Sequence, residues 1–174
     1  MISNESLEFT SFISSLETRP IARKPGVQIF LTGTPDKLSR VSLHWFKHTG
    51  SYATTAIQLA ILSKRVPYVN DQERVEITRY EHGFMQIVGY FGFMENPDIT
   101  TILECCKNQG LDLGNIDQIS FIMGRTTLKM NGRSELSVLA KKVFELLVWA
   151  SFDPTKYFSI PPGCALKLEM EIHF

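Results

Sequence analysis

The sequence is short of net charge, of signal-like regions and of long apolar runs, and each deficit excludes a class of protein. Its 18 acidic and 18 basic side chains cancel, which argues against a nucleic-acid binder because such proteins carry a basic excess. Charges such as Lys141, Lys142 and Glu145 interrupt the longest apolar runs, so none approaches the ~20 residues that cross a bilayer. The first residues lack the basic and apolar regions of a secretory signal.

Cysteine is also scarce. The chain has three cysteines, of which Cys105 and Cys106 are adjacent, and such a set does not form a disulfide framework. Free thiols indicate a reducing, cytosolic environment. We therefore expect the three thiols to be free, partly buried and inert.

The length and apolar content are those of one globular domain preceded by a short arm. Residues 1–24 are predicted to be the arm, and residues 19–26 are predicted to be a linker that ends in a turn and leads into the domain. Residues 25–174 are predicted to be the domain. The arm contains an amphipathic helix, predicted from four apolar residues at helical spacing: Phe9, Phe12, Ile13 and Leu16.

Apolar runs and alternation predict six strands, over residues 27–31, 55–62, 74–80, 84–93, 116–123 and 165–174. The third and fourth form a hairpin. The last alternates most strictly, which predicts one buried face and one wet face. Residues 127–130 are expected to pair locally after the fifth strand.

Three main helices are predicted between these strands. Thr34 and Asn96 are predicted to cap the first two, each with a proline at the first helical position, and Ser134 the third. Gly50 and Gly110 end the first two. The order β-α-β-β-β-α-β-α-β predicts a single α/β (α+β) domain built on a mixed β-sheet of five to six strands.

Residues 32–35 (Thr-Gly-Thr-Pro) form the first candidate site. Their backbone N–H groups are predicted to lie at a helix N-terminus after a buried strand, where an anion could bind. The segment lacks the Gly-Lys-Ser/Thr of a P-loop and the three-glycine dinucleotide fingerprint, so an ordinary turn is favoured. Its candidate ligand or interface residues are Thr32, Gly33 and Thr34.

Two further candidates are a histidine pair and an arginine. His44 and His48 share a face of the first helix, at a spacing that can hold zinc, but no carboxylate or thiolate partner is evident, so a polar face is favoured. Arg125 follows a strand and could clamp a phosphate or carboxylate. A structural pair with an acid such as Glu95 is preferred.

The remaining polar residues do not indicate catalysis. Arg74, Glu76 and Arg79 alternate with apolar residues and are predicted to form a solvated strand edge. The chain has no Gly-x-Ser-x-Gly elbow and no histidine beside a cysteine. We predict no catalytic residue, no cofactor and no metal.

Seven short motifs occur in an informative order. The most specific is residues 90–98, Tyr-Phe-Gly-Phe-Met-Glu-Asn-Pro-Asp. The others are Pro-Gly-Val-Gln-Ile-Phe-Leu-Thr at 25–32, Leu-His-Trp-Phe-Lys-His at 43–48, Arg-Val-Pro-Tyr-Val at 65–69, Glu-Arg-Val at 73–75, Gly-Arg at 124–125 and Tyr-Phe-Ser-Ile-Pro at 157–161. Together they resemble the C-terminal cytoplasmic domain of Kup-type (KUP/HAK/KT) potassium uptake transporters.

The resemblance implies the cytosolic regulatory or assembly domain of a carrier that brings potassium into a bacterial cell together with a proton. Such a fragment is soluble, at the cytoplasmic face of the inner membrane. Its implied partners are the transmembrane part of the same transporter, which precedes the arm and holds the ion-binding residues, and a second copy as a homodimer. Because a cyclic dinucleotide acts on some bacterial relatives, a small-molecule or nucleotide binding module is the alternative. A stand-alone enzyme is least expected.

Some positions depart from the family pattern. Cys164 stands where the family tends to have arginine, residues 167–169 (Lys-Leu-Glu) replace Glu-Leu-Gly, and Ala53-Thr54 replaces His-Glu. An interface or ligand that uses the replaced groups, including that at Glu169, is expected to be altered in this chain.

Overall fold

A six-stranded mixed sheet is the centre of the fold. The computed structural model describes residues 12, 21–35, 37–129 and 154–173. The strands are β1 (Ala22–Thr32), β2 (Ser51–Lys64), β3 (Val75–Arg79), β4 (Phe84–Gly92), β5 (Ile119–Lys129) and β6 (Ala165–His173). Their order across the sheet is β3-β4-β2-β1-β5-β6, and every neighbouring pair is parallel except the β3–β4 hairpin. The predicted mixed α/β architecture is confirmed.

Helices connect the parallel strands. Helix α1 (Arg40–Thr49) lies between β1 and β2, and α2 (Ile99–Asn108) lies between β4 and β5. Helix α3 (Pro154–Tyr157) is a single turn ahead of β6. The long helix predicted after Ser134 lies outside the described residues.

Both faces of the sheet are buried, because adjacent residues of a strand point to opposite sides. Ile29 packs on the α2 side, where Ile99 and Ile102 are fully buried. Phe30, the next residue, packs on the other side with Val41 of α1. Phe12 of the arm joins this second cluster: it is helical and buried. The other apolar residues of the predicted arm helix, Phe9, Ile13 and Leu16, lie outside the described part.

The predicted starts of α1 and α2 are wrong. Ser39, not Thr34, caps α1, since its hydroxyl accepts a hydrogen bond from the Val41 N–H at 3.3 Å. The side-chain amide of Gln58 donates to the carbonyls of residues 35 and 37 and thereby holds this segment as a loop. Asp98, not Asn96, caps α2. Helix α1 ends as predicted at Gly50, whose φ of 57° is left-handed.

Several strand boundaries also differ from prediction. Residues 22–24, expected to be linker, belong to β1 and pair with β2 ahead of a bulge between Lys24 and Val27. Residues 116–118 form a 3₁₀ turn, and residues 127–129 continue β5 along β6 instead of pairing locally. Leu166, on the predicted buried face of β6, is 46% exposed; among the described strands, β6 lies at one end of the sheet and pairs with β5 alone.

Candidate functional site

A buried arginine lies at the start of the β3–β4 hairpin. Arg74 precedes β3 and is only 6% exposed, so its predicted place on a solvated edge is wrong, whereas Glu76 and Arg79 are exposed as predicted. The Arg74 Nε donates to Asp71 Oδ1 at 2.8 Å, and the Arg74 Nη2 donates to the Val69 carbonyl at 2.7 Å. These partners explain the burial, because a buried guanidinium must be hydrogen-bonded and paired.

Glu95 is the second acidic partner of Arg74. Its Oε1 accepts from Arg74 Nη2 at 2.9 Å, and its Oε2 accepts from the backbone N–H groups of Gly92 at 2.6 Å and Val69 at 3.0 Å. The hydrogen bond from Arg74 is the main cause that lowers the pKa of Glu95 to about 2; burial opposes it, and the two backbone bonds reinforce it. The same pair raises the pKa of Arg74, so both groups are charged at neutral pH.

Gly92 permits the close approach that this arrangement needs. A Cβ at this position would overlap the carbonyl groups of Pro67 and Val66. Beyond it, the Phe93 N–H donates to Val66 O at 2.9 Å and the Met94 N–H donates to Pro67 O at 3.2 Å. We call Arg74, Gly92 and Glu95 the clamp, because together they fix the loop after β2 to the turn after β4.

The clamp presents four large apolar side chains to solvent. Val66 is 42% exposed, Tyr68 65%, Phe93 64% and Met94 61%. We call these four residues the tip. Single exposed apolar residues are ordinary on protein surfaces, but adjacent ones on a fixed backbone are typical of a contact surface. The arrangement can therefore position a binding surface.

The predicted anion segment is a turn closed by its own hydroxyl group. Thr32 Oγ1 accepts from the Thr34 N–H at 3.3 Å and donates to the Thr34 carbonyl at 3.2 Å. Gly33 and Thr34 are exposed. Because α1 begins at Arg40, this turn is not the helix N-terminus from which an anion site was inferred. A ligand or interface role for these residues stays a prediction.

The structure brings His44 and His48 together on α1, with ring centroids 4.4 Å apart. His44 is half-buried and His48 is exposed. Within the described ranges, no cluster of three or more His, Cys, Asp or Glu residues could hold a metal ion, and a structural zinc site takes four ligands. A ligand or interface role for the pair stays a prediction.

Arg125 lies in β5, paired in register with Glu169 of β6. Its side chain is outside what the structure describes, so its role stays a prediction. The acid suggested as its structural partner, Glu95, is bound by Arg74 instead.

Sequence reasoning missed the pairing of Arg74 with Glu95. The two are 21 residues apart in sequence, and an arginine among alternating polar residues normally lies in water. The available signal was the pair of motifs in which they occur, Glu-Arg-Val at 73–75 and the residues around Gly92. The structure shows that these two motifs form one contact.

Comparison with known proteins identifies a matching family. The family described as "K+ potassium transporter C-terminal domain" matches residues 25–174. The chain is 33% identical over 167 residues, 96% of its length, to "Probable potassium transport system protein Kup" of Myxococcus xanthus, and it covers 25% of that protein. It is 34% identical over 179 residues to "Probable potassium transport system protein Kup 2" of Agrobacterium fabrum, covering 98% of this chain and 28% of the relative.

The chain thus spans about a quarter of the length of these curated relatives. No solved structure matches it. In the part of the chain that the structure describes, every helix is too short or too polar to cross a bilayer. The match over residues 25–174 and the agreement with these relatives establish that the chain belongs to the C-terminal domain family of Kup-type potassium transporters.

Proposed function

We propose that the chain is the cytosolic regulatory and assembly domain of a potassium uptake transporter that carries a proton with each potassium ion. The family match and the names of the relatives support the transporter assignment. The chain's coverage of about a quarter of those relatives supports a domain attached to a larger transport part. The proposal places the domain on the cytoplasmic face of the membrane.

The regulatory role is supported by one observation: two of the family motifs meet in a single contact beneath an exposed apolar surface. Arg74, Gly92 and Glu95, which lie in two of these motifs, form the ion-paired clamp that holds the exposed apolar tip in place. Motif residues that hold an exposed apolar surface in place favour a domain that acts by contacting another protein surface. A contact that forms better in one state of the transport part shifts the carrier toward that state, by the differential binding energy.

The assembly role is the second half of the proposal. Two copies of the domain associate and thereby hold two transport parts in a fixed relation. Sedimentation velocity over a concentration series tests this half. A rise in the sedimentation coefficient with concentration is the expected result, and a constant monomer value at the highest concentration would remove assembly from the proposal.

Deletion of residues 25–174 from the full-length transporter tests the regulatory half. Rubidium uptake is measured in cells without other potassium uptake systems, across potassium concentration, pH and osmotic strength. We expect uptake to persist while its response to at least one condition is lost. Unchanged uptake under every condition would refute regulation, provided that quantification in isolated membranes shows equal amounts of the two proteins.

A further inference from the structure

We infer that His44 and His48 of α1 together bind one divalent transition-metal ion that takes ligands at right angles, such as Ni²⁺ or Cu²⁺. Both histidines belong to the family motif at residues 43–48, which contributes nothing to the clamp. The sequence alone favours a polar face for these residues, whereas the distance between the two rings in the structure favours a metal site. Such a site goes beyond the proposed function.

The spacing of the two rings matches that of two imidazoles bound to one ion. Their centroids are 4.4 Å apart and their planes are inclined by 53°. A metal–nitrogen bond of about 2.0–2.1 Å places each ring centre about 3.2 Å from the ion, so ligands at right angles have ring centres about 4.5 Å apart. A tetrahedral angle separates them by about 5.2 Å. The observed spacing therefore fits the tetragonal coordination of Cu²⁺ and Ni²⁺ better than the tetrahedral coordination of Zn²⁺.

The ring nitrogens are accessible to such an ion. His48 is exposed and His44 is half-buried. Neither imidazole makes a hydrogen bond or an ion pair within the part of the chain that the structure describes. Because the site is open to solvent, water can complete the coordination of an ion that has two protein ligands.

Helix α1 holds the two side chains ready for binding. Residues four apart lie on one face of a helix, and α1 is capped by Ser39 at its start and by Gly50 at its end. Trp45 anchors the same segment, because its Nε1 donates to the Ser51 carbonyl at 3.2 Å. A chelating pair on a fixed backbone loses little conformational entropy when the metal binds.

The charges around the pair both oppose and favour a cation. Arg40 and Lys47 are exposed on α1 and repel a metal ion, although side chains of this length can keep their charges in water. His48 lies in the last turn of α1, where the negative end of the helix dipole attracts a cation. Because both ligands are imidazoles, ions that prefer oxygen, such as Mg²⁺ and Ca²⁺, are not expected to bind.

Isothermal titration calorimetry of the 174-residue chain with NiCl₂ at neutral pH tests the proposal. Ni²⁺ is the probe because, unlike Cu²⁺, it does not oxidise free thiols such as that of Cys164. We expect one Ni²⁺ ion to bind per chain. The variants His44→Gln and His48→Gln are each expected to bind it at least about tenfold more weakly. Ni²⁺ should raise the melting temperature of the wild type and not that of either variant.

The matched control is His82→Asn. It removes another exposed histidine, in the turn before β4, and asparagine tolerates the left-handed φ of 59° at this position. Because this position is separate from the pair, the variant is expected to change Ni²⁺ affinity less than about twofold. If His44→Gln unfolds, His48→Gln still tests the site, because His48 is exposed.

Four outcomes overturn the proposal: no Ni²⁺ binding, unchanged binding in both His44→Gln and His48→Gln, an equal loss in His82→Asn, or tighter binding of Zn²⁺ than of Ni²⁺. Binding of Mg²⁺ with the same affinity as Ni²⁺ would also overturn it, because it would assign the heat to carboxylates. Calorimetry involves no potassium flux, so failure of this proposal is distinct from failure of the deletion experiment.

Discussion

Replacement of Glu95 by glutamine removes one charge of the clamp and cannot preserve its hydrogen bonds. In the wild type, one carboxylate oxygen accepts from Arg74 and the other accepts from the N–H groups of Val69 and Gly92. A glutamine side chain must point its NH₂ group at one of these donor sets, whichever way it is turned. It also leaves the buried Arg74 without its main counter-charge.

We expect Glu95→Gln to lower the free energy of unfolding by about 3 kcal/mol, the usual cost of breaking a buried pair by removing one partner. The pKa of Glu95 leads to a similar figure, since a fall from 4.5 to about 2 corresponds to about 3 kcal/mol. Urea denaturation followed by circular dichroism at neutral pH measures the difference. Glu104→Gln makes the same chemical change on the exposed side of α2 and is expected to cost less than about 0.5 kcal/mol.

The pH dependence of this difference has a definite sign. The folded-state pKa of Glu95 is depressed, so its contribution is fully present above its ordinary pKa and is lost as pH falls through the folded value. The stability gap between wild type and Glu95→Gln should therefore narrow from about pH 5 to about pH 2. A gap below about 1 kcal/mol at neutral pH, or one that does not narrow in acid, would refute the reasoning.

Three other predictions follow from the packing. Gly92→Ala should lower the free energy of unfolding by about 2–3 kcal/mol in urea denaturation, because the new Cβ meets backbone carbonyls. Gly89→Ala should lower it less, because there the new Cβ meets the end of an isoleucine side chain. Equal losses of stability would contradict this. Phe12→Ala should lower the free energy of unfolding by about 3 kcal/mol in thermal unfolding, because it removes the ring contacts that Phe12 makes. An unchanged melting temperature would mean that the arm adds nothing to stability. Iodoacetamide followed by mass spectrometry should label half-buried Cys164 in the native chain and spare Cys106, where burial raises the pKa of the thiol to about 12; labelling of Cys106 at a comparable rate would show that its site opens.

The spacing of apolar residues correctly predicted the elements in which the local sequence alone decides which face is buried. The stripe through Ile99 and Ile102 predicted α2, because residues three or four apart share a helix face. The two strands around Glu81-His82-Gly83 predicted the antiparallel hairpin, which the structure confirms. In both elements the local pattern and the tertiary packing agree.

The features that sequence missed depend on contacts between distant residues. The start of α1 is set by Gln58, whose side chain bonds to the loop before Ser39; no local pattern reports that bond. The burial of Arg74 requires Glu95, which follows an intervening hairpin. A hydrogen-bonded partner overrides the usual preference of a charged residue for water.

Rubidium uptake by the full-length transporter, compared before and after a rise in osmotic strength with and without residues 25–174, is the decisive measurement. The regulatory role predicts that the ratio of the two rates changes when the domain is removed, while uptake itself continues. An identical ratio in both proteins, maintained when pH or external potassium is varied instead, would contradict it.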